Sequence, residues 1–86
     1  MWNLPTLALT YMKVLILDQL SQLFLTHQDQ WTDNPREAKD FAFTAHARAV
    51  AKGLELKCFQ ILFYFPDINY RIVVCDSQGE SSIAKV

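Results

Sequence analysis

Apolar positions in this chain fall into blocks set apart by short polar turns, and their spacing predicts the elements. In "KVLILDQLSQLFLTH", Lys13 to His27, a helical reading puts Met12, Ile16, Leu20 and Leu23 on one face. It also scatters Lys13, Asp18, Gln19, Ser21 and Gln22 around the wheel. Read as two strands, the same residues gather into one turn, "DQLSQ", between "KVLIL" and "LFLTH". The β-branched Val14 and Ile16 favour the strands. A hairpin is therefore expected here, with a helix as the alternative.

The stretch "QWTDNPREAKDF" reads as a helix start. Asn34 is a good N-cap, Pro35 suits the first helical position, and Glu37 stands three residues after the cap, as a capping box requires. From Pro35 onward, Ala38, Phe41, Ala42, Ala45 and Ala49 form one stripe, with Phe43, Ala47, Val50 and Ala51 beside it. Gly53 is the expected C-cap, with Lys52 well placed at the negative end of the dipole. A break near Phe41 to Thr44, with Thr44 as a second N-cap, would give a short helix and a longer one.

"KCFQILFYF", "PDIN" and "YRIVVCD" predict a second hairpin with a four-residue turn beginning at Pro66. If Phe65 faces Tyr70, then Phe63 faces Ile72 and Ile61 faces Val74. One side then carries Phe59, Ile61, Phe63, Phe65, Tyr70, Ile72 and Val74, and should bury against the helix. The other carries Cys58, Gln60, Leu62, Tyr64, Arg71, Val73 and Cys75, a mixed face too apolar for open water.

Together these elements describe an α+β domain, ββαββ, with two β-hairpins around a helix and one antiparallel sheet covered on one face. The alternative is ααββ. The domain is expected to span residues 12–77, between an N-terminal extension over 1–11 and a polar C-terminal tail over 78–86. Met12 is a second candidate start. Eighty-six residues make a single domain, large enough to hide roughly 60–65% of the unfolded surface. Hydrophobic residues make up 51% and charged residues 20%, a globular balance, and the net charge of −1 supplies no field for steering polyanions.

One set of offsets resembles a pattern found in small, uncharacterised bacterial and phage proteins. It comprises Phe24, Leu25 and Thr26 at a strand end, then Trp31-Thr32, then Ala38, Phe41, Ala45 and Ala49. The likeness covers about Lys13 to Gly53 and implies the first hairpin rather than a long helix. It implies no activity. Those proteins mostly carry a charged residue, Ser or Asp before the second helical segment, where this chain has Ala42-Phe43. The residues themselves read as structural: Trp31 closing one end of the core, Ala38 and Phe41 seated on the sheet, Thr32 or Asn34 capping open amides. In the functional alternative Trp31 is a stacking platform beside a helix start that takes an anion.

Candidate chemistry is sparse. His27 and His46 lack metal-ligand spacing, and Cys58 and Cys75, projecting from one face of the second hairpin, lie too far apart for a usual bridge. The Ser-x-x-Lys spacing at Ser82 and Lys85 has no companion motifs. With two glycines in the chain there is no phosphate loop. No catalytic residue, metal site or cofactor is expected. Arg36, Arg48 and Lys52 could form a nucleic-acid patch, with Lys39, Lys57 and Arg71 as further cations. In an acidic protein that footprint is weak. No apolar run is long enough to cross a bilayer, so a soluble cytoplasmic protein is the default.

The expectation is therefore a non-enzymatic interaction or regulatory module, paired as a homodimer through Leu62, Tyr64, Arg71, Val73 and Cys75 or bound to another protein. A nucleic-acid-binding accessory protein is the alternative, and a small enzyme without a recognisable motif the third.

Overall fold

Strand β1, Lys13–Asp18, buries every residue but its last and runs through the centre of a five-stranded antiparallel sheet. Residues 11–77 are described by the computed structural model. The sheet order is β3-β2-β1-β4-β5, with β2 at Leu23–Leu25, β3 at Trp31–Thr32, β4 at Phe59–Phe65 and β5 at Tyr70–Asp76. The first hairpin is the predicted one, and its register sets Leu17 opposite Phe24. The additional short strand β3 pairs Leu25 with Trp31, so the sheet is larger than two hairpins and ββαββ is too small a description.

Alternation along β1 sorts the core into two clusters, one on each face. Val14 and Ile16 join Leu25, Phe41, Ala47, Ala51, Phe59 and Ile61 on the helix side. Leu15 and Leu17 join Phe24, Ala38, Leu62 and Tyr64 on the other. Both faces are covered, which is why β1 reads as an unbroken apolar run.

The predicted helix from Pro35 does not continue. Asn34 caps as expected, its side chain accepting the Arg36 amide at 3.0 Å, but only one 3-10 turn follows, Pro35–Glu37. Glu37 does not close a capping box; it accepts the Thr32 hydroxyl instead. The reason lies in the sheet. The Lys39 amide donates to the Leu25 carbonyl and the Phe41 amide to the Val14 carbonyl, both at 2.9 Å. Ala38 belongs to one face and Phe41 to the other, so the chain passes through the sheet where β1 and β2 part. Residues 38–41 stay extended because the strand groups on either side need their hydrogen bonds.

The one α-helix among the described residues, α1 (Thr44–Gly53), starts afresh beyond this crossing, after Ala42 at φ 71°. Phe43, not Thr44, holds the N-cap position, without a side-chain capping bond. The restart resets the helical phase. Ala47 and Ala51 face the sheet, with Val50 half-buried, while Ala42, Phe43, Ala45 and Ala49 of the expected surface are exposed. Gly53 is the last helical residue rather than the left-handed cap; Leu54 is the C-cap and Glu55 takes the positive φ of 60°.

The second hairpin matches the predicted register from Phe65↔Tyr70 to Leu62↔Val73. There a β-bulge intervenes, and Ile61 opposes Cys75 instead of Val74. One extra residue reverses the facing of everything beyond it. Residues 1–10 of the expected extension over 1–11 and the tail over 78–86, with Ser82 and Lys85, lie outside the described residues.

Candidate interaction surface

Strand β5 forms one border of the sheet and is seven residues long. Tyr70, Ile72, Val73 and Val74 are 54, 42, 47 and 40% exposed. The opposite border, β3, has two residues. The helix packs mainly on β1 and β4, and among the described residues most of β5 stays exposed. Ile68 in the connecting turn extends the apolar surface. A border strand presents unpaired backbone donors and acceptors, and natural sheets guard such borders with lysine, proline or a bulge. Here the strand carries only the bulge at Val74 and the single cation Arg71.

The expected interaction face is therefore redistributed. Leu62 and Tyr64 are each 1% exposed, buried in the cluster with Leu15, Leu17 and Phe24. They looked like surface residues because nothing local in the sequence shows that the 34–38 segment crosses over them. Arg71 and Val73 remain exposed on that side, whereas Cys75 is carried by the bulge to the helix side, where it packs against the core. Cys58 and Cys75 consequently do not share a face; both are free thiols, partly buried. Trp31 is half-buried against the helix-side cluster.

The candidate cations do not converge. Arg48 and Lys52 lie one turn apart on the exposed side of α1. Arg36 belongs to the 3-10 turn, whose neighbouring Pro35 and Ala38 cover the face opposite the helix. His27 is exposed in the turn after β2, and His46 is exposed on α1 with its ring 5.7 Å from that of Phe41. Among the described residues no three His, Cys, Asp or Glu side chains come together as metal ligands. No described helix is long and apolar enough to cross a membrane.

Face two holds the polar detail that spacing did not reveal. Lys13 is buried, and its ammonium donates to the carbonyls of Arg36 at 3.0 Å and Pro35 at 3.4 Å. Burial lowers its pKa, against the opposing pull of the Asp40 carboxylate. Beside it a cavity of about 410 Å³ is lined by Phe24, Asp33, Pro35, Tyr64, Asn69 and Arg71. The Tyr64 hydroxyl donates to Asn69 Oδ1 at 2.7 Å. The Arg71 guanidinium sits over the Phe24 ring, 5.6 Å from its centroid, although β4 and β1 lie between their strands.

Fold and surface together define a small α+β domain in which, among the described residues, β5 is the one long border strand of the sheet. Compared with protein families, with curated proteins and with solved structures, the chain matches none.

Proposed function

We propose that the protein is an interaction module without catalytic activity of its own, working by strand addition at β5. The observation that carries this reading is a seven-residue border strand with four large apolar or aromatic side chains 40–54% exposed. Strand addition supplies affinity through main-chain hydrogen bonds and specificity through alternate side chains. The partner in this reading is a second copy, joined antiparallel about a two-fold axis. With a net charge of −1 per chain, two copies repel each other weakly. The apolar residues of β5 then gain cross-strand neighbours on both faces, each such pair adding roughly 0.2–1 kcal/mol. Dispersed cations give the nucleic-acid reading no common surface, and the resemblance noted above adds no activity to either.

Light scattering of the full chain over a dilution series tests this reading, with Val73→Lys as the comparison. Val73 is exposed, so a lysine there guards the border without entering the core. The expected result is a dimer that dissociates on dilution and a variant that is monomeric throughout. A wild-type monomer at every concentration, or a variant that pairs as well as wild type, defeats it.

A further inference from the structure

The cavity on the sheet face opposite the helix combines features that a border strand does not require. Its volume, about 410 Å³, lies within the range of small-ligand sites. Phe24, Pro35 and Tyr64 supply apolar walls, and three polar side chains reach it from different segments: Asp33 after β3, Asn69 in the β4–β5 turn, and Arg71 on β5. Convergence of polar side chains from separate segments on one hollow with aromatic walls is the arrangement of a small-ligand site.

The polar groups are also chemically available. Arg71 is exposed and its guanidinium lies over the Phe24 ring, a cation–π contact that uses none of its N–H donors. No carboxylate among the described residues lies within ion-pair distance of it, although Asp33 lines the same cavity. Asn69 has its carbonyl oxygen engaged by the Tyr64 hydroxyl, which orients the amide and leaves Nδ2 as a donor. The cavity therefore brings together a cation, an amide donor and, among the described residues, a carboxylate that does not pair with that cation.

We propose that this cavity binds a small zwitterion with an apolar body: a free α-amino acid or the end of a short peptide. Its carboxylate meets Arg71 and Asn69, its ammonium meets Asp33, and its side chain lies against Phe24 and Pro35. A simple anion satisfies only the first half and is repelled by Asp33; a simple cation meets the reverse conflict with Arg71. A molecule carrying both charges meets both groups at once with charge-assisted hydrogen bonds. This inference goes beyond strand addition, needs no second chain, and stands or falls separately from it.

The test is titration of the full-length ¹⁵N-labelled protein, followed by amide chemical shifts. The probes are free phenylalanine, the dipeptide leucyl-phenylalanine, N-acetylphenylalanine (carboxylate only), phenylalanine amide (ammonium only) and N-acetylphenylalanine amide (neither). The zwitterions are expected to move the resonances around Phe24, Asp33, Asn69 and Arg71 at concentrations that leave the neutral probe without effect. Tighter binding of the dipeptide identifies a peptide end as the ligand; tighter binding of the amino acid identifies the free form. Arg71→Gln and Asp33→Asn should each raise the dissociation constant roughly tenfold, the size of one lost charge-assisted bond. Arg48→Gln, on the far side of the sheet, should leave it unchanged. Absence of shifts up to about 10 mM, well past a millimolar dissociation constant, overturns the proposal. So does equal binding of the zwitterions and the singly charged probes.

Discussion

Asp40 Oδ1 accepts the backbone amide of Val14 at 2.9 Å, and the same oxygen accepts the amide of Ala42 at 2.9 Å. One carboxylate thus ties the central strand to the segment that crosses the sheet, at the point where helical structure is interrupted. Val14 is buried, so its amide has no access to water if that acceptor is lost. Asp40→Ala is expected to lower unfolding free energy by about 1–3 kcal/mol, the penalty of one unsatisfied buried donor. Asp40→Asn, which keeps an acceptor, should cost less. Urea unfolding with unchanged midpoints for both variants would contradict this account.

The reset helical phase makes a separate test. Ala47 and Ala51 are fully buried against the sheet, while Ala45 and Ala49 are exposed. Ala47→Leu is expected to destabilise by about 1–3 kcal/mol through overpacking. Ala49→Leu should stay within roughly 0.5 kcal/mol of wild type. Equal effects in thermal unfolding would mean that the helix sits in the phase expected from an uninterrupted start at Pro35.

Tyr64 changes role. Its exposure of 1% and its hydroxyl bond to Asn69 make it a core residue with one satisfied polar end. Tyr64→Asp should therefore abolish folding rather than weaken association. Tyr64→Phe should cost about 0.5–1.5 kcal/mol, the net worth of the lost hydrogen bond. Circular dichroism during thermal melting reads both. A folded, merely monomeric Tyr64→Asp protein would return this residue to the surface.

Lys13 should leave a trace in the pH dependence of stability. Its folded pKa lies below the usual 10.5, so between the folded value and 10.5 the unfolded chain holds the proton more tightly. Stability from this group therefore rises with pH inside that window and is flat below it. Against Lys13→Met, whose remaining groups titrate alike, wild type should gain stability as pH climbs toward 10.5. A relative loss over the same interval would mean that the carbonyls of Pro35 and Arg36 and the carboxylate of Asp40 outweigh burial.

Both hairpins were legible because their signals are local. The polar residues of "DQLSQ" mark one turn, and Pro66-Asp67 opens the other, so Phe65↔Tyr70 and Phe63↔Ile72 could be placed in advance. Two features depend on contacts that spacing does not encode. The bulge that sets Cys75 opposite Ile61 follows from how β5 meets its neighbour, and Val74 carries no glycine or proline to announce it. The halt after Glu37 follows from bonds to Leu25 and Val14, more than ten residues away in sequence. A run such as "PREAKDFAF" has good helix formers, and long-range pairing overrides them. Burial of Tyr64 was hidden for the same reason, since its cover comes from a segment whose path no local rule determines. The cavity was equally illegible: Asp33 and Arg71 come to line one hollow only through the fold.

The two borders of the sheet are unequal, and this has a consequence for the size of any assembly. Border β3 spans two residues and gives way at once to the 3-10 turn, while β5 spans seven. In the proposed pairing, two chains joined along β5 would use up the one long border that each has among the described residues. The product would then offer only its short ends to a third chain. Growth would stop at two by geometry, and an open-ended fibre would have no second docking edge from which to propagate. The brevity of β3 would thus check polymerisation, without a row of charged guards on β5 itself.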